Sequence, residues 1–281
     1  MRKILVTQWV LLLWITFSFA GVALAQPGAL NLKSHAALIF DSQQGRAIYD
    51  KNADAVLPIA SITKLMTAMV VLDAQLPLDE QIIIDSADVD VLKNTHSRLW
   101  VGASLSRREM LRLALMASEN RAAAALGRAY PGGIEAFVAA MNRKAQQLGM
   151  SHSHFVDSTG LNHANVSTAR ELASMVEAAH QYDIIREFTT TASHAVDVSN
   201  KGRSLQFINS NNLVRAGTWD IGVSKTGFLN EAGRCLVMQA MILGKPVIIV
   251  LLDSVGKKTR IGDANRIRKW METNLARKHL G

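Results

Sequence analysis

The 281-residue sequence has a single cysteine, Cys235, so it can form neither an internal disulfide nor a cysteine zinc site. Its 5 prolines and 18 glycines are too few for a collagen-like or linker-dominated chain. Aromatic residues make up only 6% and are scattered. Hydrophobic residues, by contrast, make up 49%, which excludes a disordered chain, and the length fits one large domain or two small ones.

The first residues have the pattern of a secretion signal. Arg2 and Lys3 precede an uncharged run that ends in Ala23-Leu24-Ala25, the small-x-small pattern at which signal peptides are cleaved. A retained membrane anchor is the alternative, but the uncharged run is at the short end of what spans a bilayer. We therefore expect a cleaved signal peptide at 1–25 and a mature domain at 26–281 that works outside the cytoplasm.

The net charge of the chain limits the classes of molecule that it is expected to bind. Lys and Arg number 31 against 23 Asp and Glu, a net charge of +8, and removal of Arg2 and Lys3 leaves +6 (8 − 2). Such a surface favours an anionic envelope polymer or lipid surface. Nucleic acid is not expected, because the compartment is wrong and the aromatics are scattered. The basic C-terminal helix also predicts weak membrane contact, although its apolar face is expected to pack on the protein.

Strand patterns lie at both ends of the chain, and helical patterns lie between them. Ser106 and Glu109 form a capping box at the start of one helix. We predict strands at 36–40, 46–49, 222–228, 235–243 and 247–252, and helices at 61–72, 106–116, 121–129, 134–148, 168–180 and 258–277. This order indicates an α+β fold, in which an antiparallel sheet flanked by helices (about 32–80 and 215–281) carries a mostly helical lobe (about 81–214).

The first candidate site is Ser61-Ile62-Thr63-Lys64, in a predicted helix. Residues three apart share a helix face, with Cβ atoms roughly 5–6 Å apart, so the Lys64 amine can reach the Ser61 hydroxyl. A serine hydroxyl is a weak nucleophile until a base takes its proton, and a lysine is such a base only if its pKa is lowered. The alternative is a capping serine followed by a surface lysine. Ser254-Val255-Gly256-Lys257 has the same pattern in a predicted turn.

The second candidate site is Ser118-Glu119-Asn120, between two predicted helices. Its hydroxyl could relay a proton to a leaving amine, while its amide binds a peptide group. Capping of the following helix is the alternative, and for this motif alone it is the interpretation we favour. Ser210-Asn211-Asn212 also has the pattern, so the motif is weak in isolation.

The third candidate site is Lys225-Thr226-Gly227, on a predicted strand. The lysine and the hydroxyl can bind a carboxylate, and the glycine lets a substrate backbone approach closely. A second cation near Lys64 would also help to keep the Lys64 amine neutral. The alternative is an edge-strand lysine beside a bulge glycine.

The three motifs occur in the order that is typical of penicillin-recognising serine enzymes, and the two decoy motifs break that order. Further segments resemble the D-alanyl-D-alanine peptidases: LPIASITKLMTAM (57–69), LMASENR (115–121) and FVDSTGL (155–161). The Ser-Glu-Asn form, VVLD (70–73) and NVSTAR (165–170) resemble the type-7 penicillin-binding proteins, which are small periplasmic endopeptidases. The resemblance covers 36–275 and implies a β-lactamase/DD-peptidase-like fold with the active site at the junction of sheet and helices.

The resemblance also implies a role for each motif residue. Ser61 becomes the acyl-ester nucleophile, Lys64 the general base and Ser118 the proton relay. The residues implied to bind substrate are Asn120, Lys225, Thr226 and Gly227. The implied oxyanion hole is formed by the backbone N–H groups of Ser61 and Phe228. The implied substrates are cross-linked peptidoglycan peptides, with β-lactam antibiotics as covalent inhibitors, in the periplasm and without cofactor or metal.

Alternatives stay open at this point. A carboxypeptidase that trims terminal D-alanine would keep the same motifs, and so would a sensor module that is acylated without turnover. A β-lactamase is less favoured, because no glutamate for class A deacylation is identified. His152, His154 and His163 are close together and invite a metal site, but we interpret them as loop histidines.

Overall fold

The computed structural model describes residues 30–198 and 204–278, so the signal peptide predicted at 1–25 lies outside the described residues. The strands in the described residues are β1 (Ser34–Asp41), β2 (Arg46–Lys51), β3 (Leu57–Pro58), β4 (Gln81–Ile83), β5 (Ser104–Ser106), β6 (Val166–Ser167), β7 (Ser193–Asp197), β8 (Ser204–Ile208), β9 (Asp220–Leu229), β10 (Gly233–Ile242) and β11 (Lys245–Ser254). The α-helices are α1 (Thr63–Asp73), α2 (Arg107–Met116), α3 (Asn120–Arg128), α4 (Gly133–Gln147), α5 (Ala169–Ala179), α6 (Asp183–Thr190), α7 (Asn212–Ala216) and α8 (Thr259–Lys278).

The main sheet has five strands in the order β2-β1-β11-β10-β9, and all neighbours pair antiparallel. Strand β1 comes from the start of the described chain and pairs with β11 from near its end, with Ser34 opposite Ser254. The sheet is therefore completed by both ends of the chain, as predicted. Strand β9 lies at one edge and carries Lys225, Thr226 and Gly227.

The middle parts of the central strands are apolar, apart from the buried Gln239 in β10, because both faces of the sheet are covered. In β1, Ala36 and Leu38 belong to the large core shared with the helices, whereas Ala37 and Ile39 belong to a second core beneath α8. Side chains alternate between the faces of a strand, so such a run has no solvent-facing position. Burial on both faces holds the sheet rigidly between two layers.

Helix α8 forms the outer layer. Ala264, Ile267 and Met271 are buried in the core beneath it, as predicted for its apolar face. Among the described helices, none combines the length and apolar character that crossing a membrane requires.

Several local features differ from the predictions. Ser106 caps α2 by accepting a hydrogen bond from Glu109 N at 3.2 Å, but the Glu109 carboxylate turns to His194 at 2.7 Å instead of completing the capping box. Helices α6 and α7 and the hairpin β7–β8 were not predicted. The predicted helix at 61–72 is divided into a short 3-10 helix at Ala60–Ile62 and α1.

Candidate active site

The segment that carries Ser61 is held in place just before α1. Strand β3 pairs with β6, and Ile59 N donates to Asn165 O at 3.0 Å. Ala60 has a φ of +48°, in the left-handed region that a non-glycine residue adopts only at a cost of about 1–3 kcal/mol. This bend places Ser61, which is half-buried, one turn before Lys64 at the start of the helix.

The Lys64 side chain is fully buried and contacts three oxygens. Its Nζ lies 2.8 Å from Ser61 Oγ, 2.7 Å from Asn120 Oδ1 and 2.5 Å from the carbonyl oxygen of Thr159. The amide and carbonyl oxygens can only accept hydrogen bonds. A neutral amine therefore donates its two N–H groups to Asn120 and Thr159, and its lone pair faces the Ser61 hydroxyl.

Burial allows the Lys64 side chain to be in its neutral form near neutral pH. Desolvation lowers the pKa of Lys64 from 10.5 to about 7, although the carboxylates of Asp157, Glu119 and Asp90 act in the opposite direction. The first motif thus places a base with a suitable pKa against a hydroxyl, which is what activation of a serine nucleophile requires.

The second and third motifs meet at the same site. Lys225 Nζ lies 2.8 Å from Ser118 Oγ and 3.0 Å from the carbonyl oxygen of Thr226. Burial, followed by the charges of Lys64 and Arg260, lowers the pKa of Lys225 well below its ordinary value. Ser118 has a φ of +60°, so strained backbone turns this hydroxyl towards the strand lysine.

Strand β9 approaches the nucleophile closely at Gly227. A Cβ at this position would lie 2.9 Å from Ile59 O and 3.2 Å from Ser61 N, which is closer than side chains are normally found. Glycine therefore allows the sheet edge to contact the segment that bears the nucleophile. Phe228 follows on the strand with its ring half exposed and the Arg234 guanidinium 4.3 Å above it.

A loop from Asp157 to Asn165 closes the site from the other side. Asp157 accepts hydrogen bonds from Thr159 N and Gly160 N, both at 2.6 Å, and from the Asn165 side chain at 2.8 Å. These bonds fix the Thr159 carbonyl that Lys64 contacts. The loop was noted in the sequence only as a family segment, and nothing in the spacing shows that its carbonyl reaches Lys64.

Two further residues complete the surroundings, and a third lies away from the site. Glu119 is the N-cap of α3 and accepts a hydrogen bond from Arg121 N at 3.2 Å. Ser210, treated as part of a decoy motif, lies 2.7 Å from Thr226 Oγ1. The other decoy serine, Ser254, instead contacts Ser34 Oγ at 2.7 Å.

The histidines near residue 160 have ordinary loop surroundings. His152 pairs with Glu171 at 2.9 Å, and His154 is joined to Val166 by backbone hydrogen bonds. Within residues 30–198 and 204–278, no group of three or more His, Cys, Asp or Glu side chains is arranged to hold a metal ion.

A buried amine with a lowered pKa beside a serine hydroxyl, with a second lysine–serine pair at the same site, is the arrangement that serine acyl transfer with a lysine base requires. The chain belongs to the D-alanyl-D-alanine carboxypeptidase family of serine peptidases, whose profile matches residues 22–256.

Individual relatives refine this placement. The chain is 49% identical to a D-alanyl-D-alanine endopeptidase of Pseudomonas aeruginosa over 90% of its own length and 81% of the relative's. It is 46% identical to the D-alanyl-D-alanine endopeptidase of Escherichia coli over 97% and 90%. The crystal structure of the Streptomyces K15 DD-transpeptidase superposes with a TM-score of 0.79 at 30% identity, covering 85% of this chain and 97% of that one. The predicted family and α+β fold are thereby confirmed.

Proposed function

We propose that the chain is a serine D-alanyl-D-alanine endopeptidase that hydrolyses cross-links in peptidoglycan through an acyl-enzyme at Ser61. The observation that carries the proposal is the contact of the fully buried Lys64 amine with Ser61 Oγ at 2.8 Å. The two relatives at 49% and 46% identity are named endopeptidases, which favours this activity over the carboxypeptidase alternative.

Acylation begins when the neutral Lys64 amine takes the Ser61 proton. The Ser61 oxygen then forms a bond to the D-alanine carbonyl carbon, and the carbonyl electrons move onto its oxygen. Backbone N–H groups of Ser61 and Phe228 are the proposed donors to this oxyanion, and such donors contribute about 2.7–4 kcal/mol where measured. The site requires β9 beside the nucleophile, and Gly227 supplies that close approach.

The tetrahedral intermediate collapses when the peptide C–N bond breaks. Ser118 delivers the proton that the leaving amine needs, and Lys225, 2.8 Å from the Ser118 hydroxyl, replenishes it. Asn120 orients the substrate peptide, and Lys225 with Thr226 holds its carboxylate side. Water then attacks the acyl carbon and loses a proton to Lys225 through Ser118. The ester bond to Ser61 breaks, the serine oxygen takes back its proton from Lys64, and the free acid leaves with the serine and both lysines restored.

The setting of the reaction forms part of the proposal. We assign residues 1–25 to a cleaved signal peptide, the catalytic domain to 26–281 and the site of action to the periplasm. The sheet part is assigned to about 32–80 and 215–281, and the helical lobe to about 81–214. Penicillins would acylate Ser61 and remain bound as covalent inhibitors, and weak membrane contact through basic residues of α8 stays a prediction.

Labelling with a fluorescent penicillin tests the nucleophile. Wild-type protein should be labelled and Ser61→Ala should not. Ser254→Ala is a matched control, because Ser254 belongs to a Ser-x-x-Lys pattern whose serine contacts Ser34 instead of the site. Equal labelling of Ser61→Ala and wild type would refute the assignment.

Incubation with purified cross-linked muropeptides tests the reaction. An endopeptidase converts dimers to monomers, which chromatography resolves. Loss of terminal D-alanine from intact dimers would instead identify a carboxypeptidase. Stable acylation by penicillin with no product from any muropeptide would identify a sensor without turnover.

A further inference from the structure

The side-chain amide of Asn120 serves the site in only one of its two orientations. Its Oδ1 lies 2.7 Å from Lys64 Nζ, and its Nδ2 lies 2.9 Å from Thr95 Oγ1. If the amide were reversed, an N–H group would face Lys64 and the acceptor for the neutral amine would be lost. Something in the structure must therefore select the orientation.

The loop at 90–95 provides that selection. Thr95 Oγ1 lies 2.7 Å from Asp90 Oδ2, and a carboxylate can only accept, so the Thr95 hydroxyl proton goes to Asp90. The Thr95 oxygen is then free to accept only, and its donor must be Asn120 Nδ2. The Asp90–Thr95 hydrogen bond therefore determines which atom donates in the Thr95–Asn120 bond and in the Asn120–Lys64 bond.

Asp90 is itself held as an ionised acceptor. Its Oδ1 accepts from Leu92 N and Lys93 N, both at 2.9 Å, and its Oδ2 also accepts from Thr95 N at 2.9 Å. Burial opposes ionisation, but these hydrogen bonds hold the pKa of Asp90 below its ordinary value. The loop is thus built around a carboxylate that does not donate.

We propose that Asp90 and Thr95 are positioning residues of the catalytic site, which fix the Asn120 amide and through it the hydrogen bonds of the Lys64 amine. This inference rests on the proposed function. Asn120 Nδ2 carries two hydrogens, and only one is used by Thr95, so the other remains for a substrate peptide carbonyl. Asp90 and Thr95 act through Asn120 without touching the reacting atoms.

The charge of Asp90 gives the proposal a second, independent consequence. The charged groups that face Lys64 are Asp157 from the 157–165 loop, Glu119 from the α2–α3 turn, Asp90, and Lys225 from β9. Asp90 is one of the three carboxylates that raise the pKa of Lys64. An Asp90→Asn variant removes that charge. The N–H of the new amide can donate to Thr95 Oγ1, which would reverse donor and acceptor in the Thr95–Asn120 and Asn120–Lys64 hydrogen bonds.

The test measures the rate of acylation by a fluorescent penicillin between pH 5 and 10. Thr95→Val removes the acceptor, and we expect the plateau rate to fall roughly tenfold. Thr95→Ser keeps the hydroxyl and should stay within about twofold of wild type. Thr273→Val is the matched control, because Thr273 is exposed on α8 and its hydroxyl donates to Lys269 O of the same helix.

Asp90→Asn supplies a measurement that a purely structural role would not move. Its plateau should fall, and the midpoint of its pH profile should lie below that of wild type. If Thr95→Val does not fold, this shift decides the question. An unchanged midpoint, wild-type rates for Thr95→Val, or equal losses in Thr95→Val and Thr95→Ser would overturn the proposal.

Wild-type turnover of muropeptides is recorded in the same series. If the wild type is inactive, the proposed function is refuted. If the wild type is active and Thr95→Val has the same rate, only the positioning role is refuted. The two failures are therefore distinct.

Discussion

The burial of Lys64 predicts how Ser61 acylation varies with pH. Its pKa is about 7 instead of 10.5, and this difference of about 3.5 pH units disfavours the ammonium form by about 5 kcal/mol. The neutral fraction is then about 1% at pH 5, about half at pH 7 and about 90% at pH 8. A lysine of ordinary pKa would be neutral to about 0.03% at pH 7. We expect the acylation rate to rise about 50-fold between pH 5 and pH 7 and to level off above pH 8.

Stopped-flow mixing with a fluorescent penicillin at constant ionic strength measures this profile. Lys64→Arg is the informative variant, because a guanidinium stays protonated throughout the range and should abolish acylation at every pH. Far-UV circular dichroism verifies that the protein remains folded over the range. A rate that is constant from pH 5 to pH 8, or that still rises steeply near pH 10, would refute the assignment of Lys64 as a base with a lowered pKa.

Three further changes probe other parts of the structure. Gly227→Ala places a methyl 2.9 Å from Ile59 O, so the backbone must shift, and we expect slower penicillin labelling together with a lower melting temperature; unaltered labelling would show that β9 can move without affecting the site. Ile267→Ala leaves a cavity under α8 and should reduce the free energy of unfolding in urea by about 2–5 kcal/mol, with acylation unchanged, and a loss below about 1 kcal/mol would contradict the packing. The Lys93–Glu231 ion pair is partly exposed, so a double-mutant cycle should give a small coupling energy that falls with salt; a large coupling energy that does not depend on salt would be inconsistent with that exposure.

Features that depend on neighbours in the chain could be predicted from the sequence. The runs in β1 and β11 are apolar without interruption, and the run in β10 is interrupted by Gln239. All three are bounded by turns, which is enough to identify buried strands. Ser61 and Lys64 are one helical turn apart, so their contact follows from the geometry of the helix alone. The meeting of Lys225 with Ser118, 107 residues away, required the family resemblance.

The features that could not be predicted depend on contacts between residues that are far apart in the sequence. The Thr159 carbonyl reaches Lys64 from 95 residues away, and backbone oxygens leave no trace in the side-chain sequence. Helix α6 has no side-chain cap at its N-terminus, so the usual signal for a helix start is missing. Asn211 does cap α7, which turns the decoy Ser210-Asn211-Asn212 into a helix start that also delivers Ser210 to Thr226.

The pairing of β1 with β11 has a consequence for when reactivity appears during folding. The hydroxyls of Ser34 and Ser254 are 2.7 Å apart although 220 residues separate them, so the sheet centre forms only after a very long loop has closed. Ser61 and Lys64 can meet in any chain that winds α1, but Lys225 arrives only with the last strands. A half-folded chain therefore lacks the burial that lowers the pKa of Lys64 and the contact of Lys225 with Ser118, so we expect hydrolysis only once the sheet is complete.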